Sequence, residues 1–148
     1  MTTPSHSFDA LTPLLTTLKV EDTAVIKVER DTFSTLLLAI TAGMFIGLAF
    51  IFYVVATAGG STLPYGLNKL IGGICFSMGL MLVVVVGGEL FTSTTLTLVA
   101  RAANRITWGK LLKNWVIVYF GNLVGGLIIV TLIMLAGQYM NSNGQWGL

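Results

Sequence analysis

Three long apolar runs separated by short polar stretches set the pattern of this 148-residue chain. The first, 33–58, carries no charge and follows Asp31-Thr32, a pair suited to capping a helix. It exceeds the roughly 20 residues that cross a hydrocarbon core. Ala39, Gly43 and Gly47 fall four apart along it, a spacing that lets helix backbones approach closely in lipid. Gly59-Gly60-Ser61 and Pro64 end it in a short loop. The third run, 111–136, follows Trp108, precedes Gly137 and repeats the small-residue spacing at Gly121 and Gly125. Asn114 and Asn122 are its polar residues, expected to bond to a neighbouring helix, and Trp108, Trp115, Tyr139 and Trp146 are placed for an aromatic belt.

The second run, 67–103, departs from the pattern. As one straight helix it would measure on the order of 50 Å, overshooting the bilayer by about 20 Å. Gly87-Gly88 interrupts it, and Glu89, Leu90, Phe91, Thr92 and Ser93 follow. The expectation is one helical piece over 70–86, unwound backbone over 89–93, and a shorter helix over 94–102. Unwound backbone at membrane depth is tolerated only where protein or a water-lined cavity satisfies it. A broken span is therefore the sequence pointer to a permeation or binding site. A helix restarting at Ser93-Thr94 offers unpaired N–H groups to a small anion. Leu90 and Phe91 would form an apolar constriction beside the Thr92 hydroxyl. Glu89, ionised on the path, would repel an anion; the role favoured here is to accept hydrogen bonds from the amides freed by the break, with Gly87 and Gly88 allowing the turn. The plainer alternative is a glycine kink that only bends a helix.

Ahead of the spans, Phe8, Leu11, Leu15 and Leu18 recur at helical spacing, with Thr12-Pro13 as cap and first turn. Glu21-Asp22 is expected to open a second short segment over 23–28. This leader (1–31) reads either as a surface anchor or as a plug beneath a pore.

Composition agrees with an integral membrane protein: 55% hydrophobic, 9% charged, mean hydropathy +0.88, against roughly 25% charged residues in soluble domains. Seven of eight basic residues (Lys19, Lys27, Arg30, Arg101, Arg105, Lys110, Lys113) flank the spans on one side and only Lys69 lies on the other. The positive-inside rule makes the larger group cytoplasmic, leaving the tail 139–148 outside. The polar leader gives no cleavable signal peptide. Cys75 alone forms no intrachain disulfide and reads as a packed thiol; His6 reads as a solvated tail residue. No nucleophile–base pair, metal cluster or phosphate loop appears, so an enzyme is disfavoured and no cofactor or nucleic-acid partner is implied. A non-transporting three-helix scaffold is the competing class.

Gly87-Gly88-Glu89-Leu90-Phe91-Thr92-Ser93 resembles the first signature of the formate/nitrite transporter family. Gly72-Gly73-Ile74-Cys75-Phe76-Ser77, Asn114-Trp115-Val116, the run from Tyr119 through Gly125, the tail from Asn143 and the leader with Phe8-Asp9 fit the same family. The resemblance implies an all-α membrane protein with three transmembrane helices, the second broken, forming one half of an aquaporin-like inverted-repeat channel. It implies homopentamers with one pore per protomer in the inner membrane, passing formate, or alternatively nitrite or hydrosulfide. By resemblance Leu90, Phe91 and Thr92 form the loop at the pore centre, Phe76 and Leu80 line the apolar constrictions, and the leader is a gating helix, which favours the plug. The second three-span repeat, with the family's pore histidine, has no counterpart here. A truncated half-channel that does not conduct as a monomer is therefore expected.

Overall fold

The structure, a computed structural model, describes residues 11–146. His6, Phe8, Asp9, Gly147 and Leu148 lie outside the described residues. Among the described residues all regular structure is helical, in the order α1 (Pro13–Glu29), α2 (Thr32–Thr57), α3 (Tyr65–Val86), α4 (Phe91–Thr94), α5 (Leu98–Ala102) and α6 (Trp108–Leu135). A 3₁₀ turn over Thr95–Thr97 joins α4 to α5. Helices α2, α3 and α6 are each long and apolar enough to cross a membrane.

The helix starts follow local chemistry. Thr12 accepts from the Leu15 N–H ahead of Pro13, and Thr107 accepts from the Lys110 N–H at α6. Asp31 accepts from the Ser34 N–H at 2.8 Å, and this bond holds its carboxyl below the usual carboxylate range. The leader differs from expectation: α1 is one continuous helix through Glu21-Asp22. Glutamate is a good helix former, and both acids face Arg105, Asp22 at 2.6 Å and Glu21 at 3.7 Å. They fasten α1 to the loop before α6 rather than dividing it.

Helix α2 is the hub, with α6 on one face and α3 on the other. Against α6 the close pairs climb together: Ala39 with Gly121, Ile40 with Gly125, Gly47 with Ile129. The two helices therefore run parallel. Against α3 the pairs run in opposite order, Ala42 with Gly88, Ala49 with Gly79 and Tyr53 with Gly72, so α3 is antiparallel. A Cβ on Gly125 would collide with the Ile40 carbonyl, and one on Gly43 with the Asn122 carbonyl. The four-residue glycine spacing thus brings backbone against backbone. Parallel packing also puts the starts of α2 and α6 at one end of the bundle with α1, and Lys69, near the start of α3, at the other.

At that shared end α1 lies against the 3₁₀ turn Thr95–Thr97, α5 and the start of α6. Ala24 of α1, Ala100 of α5, Ile106 and Leu111 form a small core, with Val25, Val28 and Trp115 packed on it. Leu11, Leu15 and Leu18 are exposed among the described residues.

Candidate functional site

The broken span ends α3 with a glycine-dependent cap. Gly87 sits at φ 71°, where a side chain is strained. The Gly88 N–H donates to Val83 O at 2.8 Å and the Gly87 N–H to Val84 O at 3.2 Å, the reciprocal pattern that closes helix C-termini. The Glu89 N–H then crosses to Leu38 O of α2 at 3.3 Å.

The helix restarts at Phe91, three residues earlier than the sequence pattern suggested. The Ser93 and Thr94 amides are not free: both donate back to Leu90 O, at 3.1 and 2.9 Å. The Phe91 N–H donates to Asn122 Oδ1 at 2.8 Å. Asn122 Nδ2 in turn donates to Glu89 O and Ala39 O, each at 2.8 Å. One amide side chain thus replaces the helical bonds lost at the break and ties α2, the interruption and α6 together. Replacing Asn122 with the similarly sized Leu leaves these groups unpaired in an apolar setting. The expected cost is about 2–3 kcal/mol, read as a lowered unfolding midpoint in mixed micelles; an unchanged midpoint contradicts this bracing role.

Glu89 is 2% exposed. Its carboxylate accepts from Lys27 Nζ at 2.9 Å and Arg30 at 2.7 Å, both on or just after α1, and from the Thr94 hydroxyl at 3.3 Å. The expected partners, backbone amides freed by the break, do not contact it. They are taken up by Val83, Val84, Leu38 and Asn122, so the carboxylate is left to two cations of the leader.

Leu90 is half-buried and lines an apolar cavity of about 480 Å³ between α2 and α6, with Gly43, Phe50 and Asn122. Phe91 turns the other way, edge-on to Tyr119 at 5.4 Å and Trp115 at 6.3 Å between ring centres. Thr92 is exposed, and among the described residues neither its amide nor its hydroxyl donates to a protein acceptor. Phe76 is half-buried on α3, edge-on to Phe50 at 5.4 Å, and Leu80 is exposed one turn further on. These two share a face of α3 but not the cavity that Leu90 lines. Cys75, near them, is a half-buried free thiol.

Residues 15–148 match the family model described as formate/nitrite transporter. The chain belongs to the formate/nitrite transporter family. The formate channel FocA of Escherichia coli K12 is 56% identical over 143 residues, 97% of this chain and 50% of that relative. FocA of Haemophilus influenzae is 49% identical over 139 residues, 94% of this chain and 49% of that relative. A solved structure titled pentameric formate channel with formate bound superposes with a TM-score of 0.73 at 52% identity, covering 78% of this chain and 46% of that one. The chain spans about half the length of the curated relatives it matches. Its three apolar helices with a broken second span are thus one half of a formate/nitrite transporter channel fold.

In this family member several residues have tasks that their place in the sequence does not reveal. Along the sequence Lys27 and Arg30 count only as orientation charges; in the fold Lys27 in the last turn of α1 and Arg30 at its C-cap, three residues on, both reach Glu89. Trp115, read as a belt residue, braces the restarted helix instead: its indole N–H donates to Thr97 Oγ1 at 3.0 Å and Thr94 O at 3.2 Å. Lys69 lies two turns before Phe76 on the same face of α3 and donates to the Tyr53 hydroxyl at 2.6 Å. No feature of the sequence singled it out beyond its charge.

Proposed function

We propose that this chain builds the N-terminal three-span half of a formate-conducting pore that works as a pentamer in the inner membrane and is not an enzyme. The observation that carries this reading is the interruption at residues 87–90. It holds a helix open inside a span, satisfies its own backbone through Asn122 and Leu38, and leaves Thr92 with free donors. A non-transporting scaffold has no need of such a device. The relatives named formate channels, and a neighbour described with formate bound, support formate as the permeant.

In this reading the Leu90-Phe91-Thr92 segment lies at the pore centre, Thr92 donates to the passing carboxylate, and Phe76 and Leu80 narrow the path between apolar walls. An anion that has shed water there gains more from a hydrogen-bond donor than it would in bulk solvent. Glu89 does not repel it, because Lys27 and Arg30 neutralise that carboxylate from the leader side. The end of the bundle carrying α1 and seven of the eight basic side chains faces the cytoplasm.

The test is Thr92→Val in a channel completed by a second three-span half. Formate flux into proteoliposomes is expected to fall on the order of tenfold, the worth of one hydrogen bond to a charged group, with the oligomer unchanged on size exclusion. Full flux in the variant favours the scaffold.

A further inference from the structure

At the end of the bundle away from α1, a cluster on α2 and α3 stands apart from the break. Lys69 Nζ donates to Tyr53 Oη at 2.6 Å and lies 5.3 Å from the Tyr53 ring centre and 5.7 Å from that of Tyr65. Its charge has no counterpart at that end. Of the chain's six carboxylates, Asp9, Glu21, Asp22, Glu29 and Asp31 belong to the leader and Glu89 to the break. Lys69 accordingly forms no ion pair among the described residues. Aromatic faces hold an ammonium in place without neutralising it, so its field is left for a mobile anion. The Tyr53 hydroxyl accepts from Lys69 and, among the described residues, donates to no protein acceptor. Two donors, one of them charged, therefore stand side by side. Gly73, one turn after Lys69, leaves the wall open next to them: a methyl there would meet nothing within 4 Å. The result is a notch of about 250 Å³ lined by Phe50, Tyr53, Lys69, Gly73 and Phe76. Its outer end carries the two donors, and its inner end is the edge-on pair of Phe50 and Phe76.

We propose that this notch is an entry site where a small monocarboxylate, formate in the permeation reading on which the assignment rests, waits before the apolar constriction that begins at Phe76. One carboxylate oxygen meets the Lys69 ammonium and the other the Tyr53 hydroxyl, a two-pronged contact that a single-centred anion such as chloride cannot make. The hydrogen of formate, or the methyl of acetate, turns toward Phe50 and Phe76. Gly73 keeps the space open, since a larger side chain there would fill it. Lys69 thus concentrates the carboxylate at the mouth opposite α1, while passage beyond the constriction is left to Thr92.

All five lining residues belong to this chain, so the test begins with the full chain alone in mixed micelles. Formate binding is read as saturation transfer to the formate proton. Lys69→Gln, at an exposed position, is expected to weaken it about fivefold, the upper range for an exposed charge pair, and Tyr53→Phe about threefold, the scale of one hydrogen bond. Lys69→Arg, which keeps the charge, should restore most of the signal. Acetate is expected to compete with formate more strongly than chloride does. No transfer to the wild-type chain, equal transfer in the wild-type and Lys69→Gln chains, or equal competition by chloride and acetate overturns the proposal. In the channel completed by a second three-span half, Lys69→Gln should raise the half-saturating formate concentration on the extracytoplasmic side by the same factor without lowering the maximal flux. Unchanged half-saturation, while Thr92→Val still lowers flux, removes the entry site and leaves the pore standing. Formate binding that depends on Lys69, in a completed channel that passes no formate, keeps the carboxylate site and removes the permeation reading.

Discussion

Gly125→Ala is expected to destabilise the bundle by about 3 kcal/mol, while Gly126→Ala next to it should leave stability unchanged or raise it by up to about 1 kcal/mol. Both replace a helical glycine and both gain the same helix propensity. They differ only in what the new methyl meets. At Gly125 it runs into the Ile40 carbonyl, with the Met44 backbone nitrogen 2.9 Å away; at Gly126 nothing lies within 4 Å. Side chains can swing aside, but a helix backbone can yield only if α2 and α6 separate. Separation would also strain the Asn122 bonds that span both helices and the break. Unfolding of each variant in mixed micelles checks the contrast. Equal midpoints would mean that the α2–α6 seam is looser than this packing requires.

The second large effect concerns the leader lock, and it is asymmetric. Removing both cations, Lys27→Gln with Arg30→Gln, strands a carboxylate that is 2% exposed. Breaking a buried ion pair in that way costs about 3–5 kcal/mol. Glu89→Gln strands instead two cations that are 22% and 31% exposed and sit on long, flexible stems. They reach water at the membrane surface, so the expected loss is only about 1–2 kcal/mol. In the Glu89→Gln background the two cation replacements should be close to neutral, because their partner is gone. Unfolding midpoints together with the rate of protease cleavage within α1 distinguish these cases. Similar losses from the two sides would mean that Glu89 is not desolvated, and the lock would have to be abandoned.

Much of the architecture was legible before any coordinates. The spans announce themselves through sparsely charged runs of sufficient length, and the starts of α1 and α2 through Thr12 and Asp31, because capping involves residues only three apart. The break was legible for the same reason. Gly87 supplies a local φ of 71° that continues no helix, and a second glycine follows it. The small-residue stripes on α2 and α6 pointed to a close seam without saying which helix met which, or that the two run parallel.

What no local pattern carried was the identity of long-range partners. Glu89 and Lys27 stand 62 residues apart, and Glu89 and Arg30 59 apart. A carboxylate next to a glycine pair is compatible with backbone amides or distant cations, and only packing α1 beneath the restarted helix chooses between them. Trp115 looks like a belt residue until Thr94 and Thr97 are brought beneath its indole. Glu21 and Asp22 look like a divider until Arg105 is folded against them. Periodicity, capping and turn chemistry act within a few residues and so are written along the chain. Which polar groups meet depends on how the helices are stacked, and that was decided by the close approach of glycine-bearing backbones in three dimensions.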